Sequence, residues 1–146
     1  IIQEIDHLPN HIYLQAGVGG MAGAMAACFR NAWGDVPIIT VVEPAYAPAL
    51  TNSIIEGKFA STSGPVSDMG RLDCKEASLM ALAGLSRDAN SFVTLTEKEC
   101  LDAIKALPKY NLDTSSSGGA GIAAMMMSDL PADARVLCIL SEGPDE

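Results

Sequence analysis

The residues of this chain best suited to chemistry are glycines. Gln15-Ala16-Gly17-Val18-Gly19-Gly20-Met21-Ala22-Gly23 stands between an apolar, strand-like run and an Ala-rich, helical one. A glycine turn lets the backbone come close to a ligand, and the helix start behind it offers unpaired N–H groups at a positive dipole end. That combination holds phosphate. Two ligand classes are open. Gly17 to Ala22 satisfies G-x-G-x-x-[GA], and Glu43 ends the next strand about 20 residues on, the dinucleotide fingerprint with an acid for a ribose hydroxyl. The same turn could instead hold one phosphate monoester through successive N–H groups. A tight turn without a ligand is the bland alternative.

Other chemistry is sparse. Ser115 to Gly121 forms a second small-residue turn that could receive an anion or cap a helix, and residue types favour capping. Ser141 follows a buried strand, so its hydroxyl could face a ligand or simply satisfy a turn. His7 and His11 flank Pro9, which breaks any helix that could align them as metal ligands. Both histidines sit at the N-terminal side of the first strand, so no Ser–His–Asp arrangement can be built. Cys28, Cys74, Cys100 and Cys138 have no zinc or redox spacing, and Cys28 and Cys138 read as small core residues. Met125, Met126 and Met127 read as core filling.

These residues need elements to position them. His11 to Ala16, Ile38 to Val42, Ser91 to Leu95 and Arg135 to Leu140 are expected strands, the second a β-branched run of the kind parallel sheets bury on both faces. Between them, helices are expected over Gly20–Trp33, Tyr46–Glu56, Lys75–Leu85, from Thr96 to before Pro108, and over Ala120–Met127. Thr96 and Glu99 have capping-box spacing. Gly57 to Pro65 reads as a surface loop. Alternating strands and helices predict crossover units: a three-layer α/β domain with a mostly parallel sheet. In such sheets ligands bind beyond the carboxyl ends of the strands, where the glycine turn, Glu43-Pro44 and Ser141-Glu142-Gly143 all fall.

Composition sets bounds. The chain has 146 residues, 49% of them apolar, and a net charge of -9. That length suits a single domain. The charge argues against a nucleic-acid partner, and no apolar run reaches the ~18 residues of a membrane span. Unpaired cysteines fit a reducing, cytoplasmic setting.

Five segments in order resemble the pyridoxal-phosphate enzymes of the tryptophan-synthase-β type (fold type II), and within them the diaminopropionate ammonia-lyase pattern. Ile12 to Gly20 resembles the strand and phosphate loop, "QAGVG". Thr40 to Pro44 resembles "VVEP". Ser67 to Cys74 resembles "TIMAGLACGE", Ser115 to Ala120 resembles "SGESGA", and Leu140 to Gly143 resembles "STEG". Ser117 stands where the pattern has Glu, and Arg71 and Asp73 interrupt the third segment.

The resemblance implies pyridoxal 5'-phosphate as cofactor and β-elimination on a small amino acid such as 2,3-diaminopropionate. It implies that Gly17, Val18, Gly19 and Gly20 hold the cofactor phosphate, that Ser141 faces the pyridine nitrogen, and that Met69 and Gly70 line the cavity. It implies a homodimer, while the residue spacings themselves offer no metal site. The family also needs a lysine bonded to the cofactor, in an S-x-x-N-x-K motif. None of Lys58, Lys75, Lys98, Lys105 and Lys109 has an Asn two residues before it. The expectation is therefore a fragment of a longer enzyme, inactive alone, with the lysine upstream of Ile1. The competing readings are an NAD-binding Rossmann module of an oxidoreductase and a non-catalytic α/β fragment.

Overall fold

The computed structural model describes residues 1–144. Four strands form one parallel sheet in the order β3-β2-β1-β4: β1 His11–Gln15, β2 Ile38–Pro44, β3 Ser91–Leu95 and β4 Val136–Cys138. The connections carry α1 Gly20–Trp33, α2 Ala49–Glu56, α3 Leu79–Asp88, α4 Glu97–Ala106 and α5 Ser116–Met126, with 3-10 turns at Gly70–Leu72 and Leu107–Tyr110.

The strand period of two divides the core. Ile12, Leu14, Ile39 and Val41 point to one face and pack with Ala22, Ala26 and Phe29 of α1, Leu50 of α2 and Leu85 of α3. Tyr13, Val42 and Leu95 point to the other and pack with Cys100 and Ala103 of α4 and Ala120, Ala123 and Ala124 of α5. The expected three-layer α/β architecture is what the chain adopts.

Several boundaries moved for local reasons. α2 starts at Ala49, not Tyr46, because Pro48 disfavours helical backbone at Ala47 and serves as N-cap itself. α3 starts at Leu79, not Lys75. Ser78 caps it, accepting from the Ala81 N–H, while the Lys75 ammonium donates to Asp73 Oδ1 at 2.5 Å and to the Tyr46 and Pro65 carbonyls. β2 runs on through Glu43 and Pro44, where Pro44 pairs with Leu95 as a terminal strand residue. β4 is shorter than expected. Thr96 and Glu99 form the capping box, with Glu99 Oε2 accepting from the Thr96 N–H at 2.9 Å.

Two burial expectations fail. Cys28 is exposed, because the buried stripe of α1 runs through Ala22, Ala26 and Phe29. Met126 and Met127 are exposed at the end of α5, and only Met125 packs on the core.

The second small-residue turn is the first turn of α5, buried on nearly every side. Ser115 caps it, accepting from the Gly118 N–H at 3.0 Å. Its glycines admit close packing. A Cβ at Gly119 would lie 2.3 Å from Ile104 Cδ1, and one at Gly121 2.8 Å from Gln15 Oε1 and 3.1 Å from the Tyr13 carbonyl. Gly119→Ala is expected to lower stability by about 1–3 kcal/mol through overpacking. Gly84→Ala, in open space on α3, is expected to raise it by about 0.5–1 kcal/mol. Urea midpoints of the two variants check this; equal shifts would contradict the packing account.

Candidate cofactor site

The exits of β1 and β4 and the start of α1 enclose a cavity of about 250 Å³. Residues 15–22 line one side, Arg71, Leu72 and Cys74 a second, and Ser141 a third. Gly19 is the N-cap of α1 at φ +92°, a conformation that a glycine adopts without strain. A Cβ there would also press to 3.0 Å from Ala81 Cβ and Leu50 Cδ1, and a Cβ at Gly17 to 3.0 Å from the Arg71 carbonyl and Cys74 Sγ. The Ser78 N–H donates to the Val18 carbonyl at 2.9 Å, pinning the turn to the start of α3.

The first intrahelical bond of α1 is Gly23 N–H to the Gly19 carbonyl, 2.8 Å. The N–H groups of Gly20, Met21 and Ala22 therefore have no acceptor within the helix. No side chain caps the helix, and its first turn carries no acid. A 14-residue helix aims its positive end here, with the Arg71 segment alongside. This donor set fits a phosphate dianion: backbone hydrogens, no competing carboxylate, and glycines that let the ligand approach.

Ser141 stands across from the turn. Its N–H donates to the Gly118 carbonyl at 3.4 Å, and its Oγ accepts from Gln15 Nε2 at 3.1 Å. Gln15 Nε2 also donates to the carbonyls of Gly118 and Ile139, each at 2.9 Å. Glu142 accepts from the Ser115 hydroxyl and the Arg71 guanidinium, while its carbonyl accepts from Thr114 Oγ1 at 2.7 Å. The Arg71 N–H donates to Ser117 Oγ at 3.1 Å.

The structure brings Gly17, Val18, Gly19, Gly20 and Ser141 to one cavity. Met69 and Gly70 are not in its wall. Met69 is fully buried in the core layer beneath α5, its N–H held by Ser67 Oγ, and Gly70 is exposed at the 3-10 turn. That turn carries the chain round so that the following residues, Arg71, Leu72 and Cys74, reach the cavity instead. Gln15 and Cys74 were missed as site residues. A glutamine closing an apolar strand was the available signal for the first. Among the described residues, no lysine lines the cavity. A larger hollow, about 650 Å³, lies between residues 1–4 and the outer side of α1. It is mostly apolar and away from the sheet's carboxyl edge.

The pyridoxal-phosphate dependent enzyme family matches residues 1–142. A diaminopropionate ammonia-lyase of Salmonella typhimurium is 30% identical over 161 residues, covering 93% of this chain and 39% of the relative. The chain spans about two fifths of the length of the curated relatives it matches. A diaminopropionate ammonia lyase structure from Escherichia coli superposes with a TM-score of 0.86 at 24% identity, covering 97% of this chain and 41% of that one. The processed form of threonine deaminase isoform 2 from Solanum lycopersicum does so at 0.84 and 17%, covering 99% and 40%. The two structural likenesses establish the fold.

The dinucleotide reading fails at Glu43. Its carboxylate is fully buried and accepts from the Leu50 N–H at 2.8 Å, the Thr51 N–H at 2.7 Å and Thr51 Oγ1 at 2.6 Å. It anchors the start of α2 and offers nothing to a ribose. Burial raises its pKa above 4.5, although those hydrogen bonds pull the other way. The native state thus binds this proton more tightly than the unfolded chain, so stability falls as pH rises from 4.5 through the raised value. Compared with Glu43→Gln, the parent is expected to lose stability across that window and then run parallel to the variant. Urea midpoints of both proteins between acid and neutral pH measure the difference; a gap that widens in the parent's favour would refute the assignment.

Proposed function

Because this chain belongs to the pyridoxal-phosphate dependent enzyme family, we propose that the cavity at the sheet's carboxyl edge is its cofactor site and that the full-length gene product is an ammonia-lyase. Gly17, Val18, Gly19 and Gly20 hold the phosphate, and Ser141 takes the pyridine nitrogen. The observation that carries this reading is the union of an uncapped, acid-free helix start with Ser141 in one cavity. Met69 and Gly70 lead the chain into Arg71, Leu72 and Cys74 of that wall.

Bound there, pyridoxal phosphate supplies an electron sink for breaking bonds at an amino acid's α-carbon. This chain's residues do the rest of what the cavity allows. The turn's N–H groups fix the anionic end without a proton of their own to lose. Ser141 offers the ring nitrogen a hydroxyl, which, unlike a carboxylate, does not hold that nitrogen protonated. A weaker sink suits β-elimination.

Likeness to diaminopropionate ammonia-lyases along nearly the whole chain supports a 2,3-diamino acid as substrate. With water it becomes a 2-keto acid and two ammonia molecules. The lysine that bonds the cofactor is assigned to sequence outside these 146 residues, since none here lines the cavity. Four free cysteines support a reducing, cytoplasmic setting. No helix among the described residues is long and apolar enough to cross a membrane. Exposed Leu79, Met80 and Val66 support burial against further protein, namely the rest of the enzyme and a second copy in a homodimer.

Gly20 provides a clean test, because a Cβ there meets nothing within 4 Å. Gly20→Val in the full-length product is expected to keep stability within about 1 kcal/mol while weakening cofactor retention about tenfold or more. Gly19→Val is expected to lose both, with about 1–3 kcal/mol of backbone strain at its positive φ. Equilibrium dialysis against pyridoxal phosphate reads retention; unchanged binding by Gly20→Val would remove the phosphate assignment. The 146-residue chain alone is expected to release no ammonia from 2,3-diaminopropionate, and the full-length product to release it. A coupled ammonia assay decides between them.

A further inference from the structure

Lys75 lies just beyond the cavity wall, and its ammonium is fully engaged. Nζ donates to Asp73 Oδ1 at 2.5 Å, to the Tyr46 carbonyl at 2.8 Å and to the Pro65 carbonyl at 2.9 Å. An ammonium has three hydrogens, and three oxygens take them. Those oxygens come from separate stretches: the chain leaving β2, the surface loop and the wall segment itself. Gly64 lets the first two converge, because a Cβ there would lie 2.9 Å from the Tyr46 carbonyl. The lysine and aspartate side chains are largely covered, at 31% and 14% exposed. The Lys75 carbonyl accepts from the Thr62 N–H at 2.8 Å, so main chain and side chain both hold the loop.

The segment secured in this way is the one that meets the glycine turn. Arg71, Leu72 and Cys74 line the cavity, and Lys75 itself is outside the lining. The Arg71 carbonyl and Cys74 Sγ stand 3.0 Å from where a Cβ on Gly17 would be. We infer that Lys75 is a positioning residue of the cofactor cavity: its ammonium fills a cradle of three oxygens and so holds residues 71–74 against the phosphate turn. The inference rests on the cofactor reading of that cavity and adds what keeps one wall in place. Two carbonyls and a carboxylate at 2.5–2.9 Å suit a compact monovalent cation, and the tethered ammonium is the one the chain supplies. Without it three negative or partly negative oxygens face one another, and their repulsion drives the stretches apart. Asp73 interrupts the lyase pattern, so the cradle's carboxylate is a feature of this chain and not of that pattern.

The test uses the full-length gene product with pyridoxal phosphate and compares potassium chloride with tetramethylammonium chloride at about 0.1 M. Both salts screen charge alike at that strength, and only potassium is small enough to enter the cradle. Lys75→Ala removes the ammonium and leaves room for a free ion. In tetramethylammonium chloride it is expected to retain the cofactor about tenfold more weakly than the parent, and in potassium chloride within about threefold of it. The parent is expected to behave alike in both salts. Adding Asp73→Asn to Lys75→Ala is expected to abolish the potassium response. Asp73→Asn alone is expected to weaken retention about threefold. Undiminished retention by Lys75→Ala, a loss that potassium does not reverse, or a potassium response that survives Asp73→Asn overturns the inference while the cofactor site stands. Should Lys75→Ala fold in neither salt, Asp73→Asn decides, and retention equal to the parent's overturns the inference. A folded parent that takes up no cofactor overturns the cofactor reading. The urea midpoint of Lys75→Ala then judges the cradle alone: unless potassium raises it more than it raises the parent's, the cradle is overturned too.

Discussion

A parallel sheet of four short strands leaves its carboxyl edge open unless something spans it, and here one buried amide reaches three groups across that edge. Gln15 Nε2 reaches the Ile139 carbonyl and Ser141 at the exit of β4 and the Gly118 carbonyl in the first turn of α5. These contacts join the ends of β1 and β4 to the first turn of α5. β4 pairs with β1 at only three positions, so its exit would be loosely placed by the ladder alone. The close seating of α5 follows from the same constraint. Gly121 has no Cβ because Gln15 and Tyr13 occupy that space. The cavity wall that carries Ser141 is thereby tied to the core beneath it, although Ser141 is itself exposed.

The order β3-β2-β1-β4, with a glycine turn after β1 and an acid at the end of β2, also describes half of a dinucleotide-binding sheet. Topology cannot separate the two, and neither can the glycine spacing. The separation comes from what Glu43 does. A ribose-binding acid needs a free carboxylate at the cleft, whereas this one spends its oxygens on the start of α2. The fold admits several chemistries, and a side chain's partners decide among them.

Much of this was legible in the chain itself. α1 and β3 begin and end where residue types place them, because Gly20, Gly34 and the Thr96 capping box are local signals. The cavity's phosphate end was legible for the same reason. What was not legible depended on contacts distant in sequence. Ser116 to Gly119 read as a turn because glycine is a poor helix former in isolation, yet the tight seat against Ile104 and Thr114 makes it helix. Met69 read as cavity wall because its segment was right, and the 3-10 turn that points it inward carries no local signature. Gln15's role depends on partners more than 100 residues away.

The two departures from the lyase pattern, at Ser117 and in the Arg71 segment, meet in space. The Arg71 N–H donates to Ser117 Oγ, and the Arg71 guanidinium pairs with Glu142, next to Ser141. A glutamate at 117 would set a second carboxylate in the first turn of α5, within the cluster where Glu142 already takes the Ser115 hydroxyl. Like charges so close, with one largely buried, oppose each other strongly. Serine at 117 removes that conflict and gains a bond to the backbone of the segment bearing Arg71, whose charge then balances Glu142. The two departures thus meet in one hydrogen-bonded cluster on the flank of the cavity. Both positions therefore lie on the side of the cavity nearest Ser141.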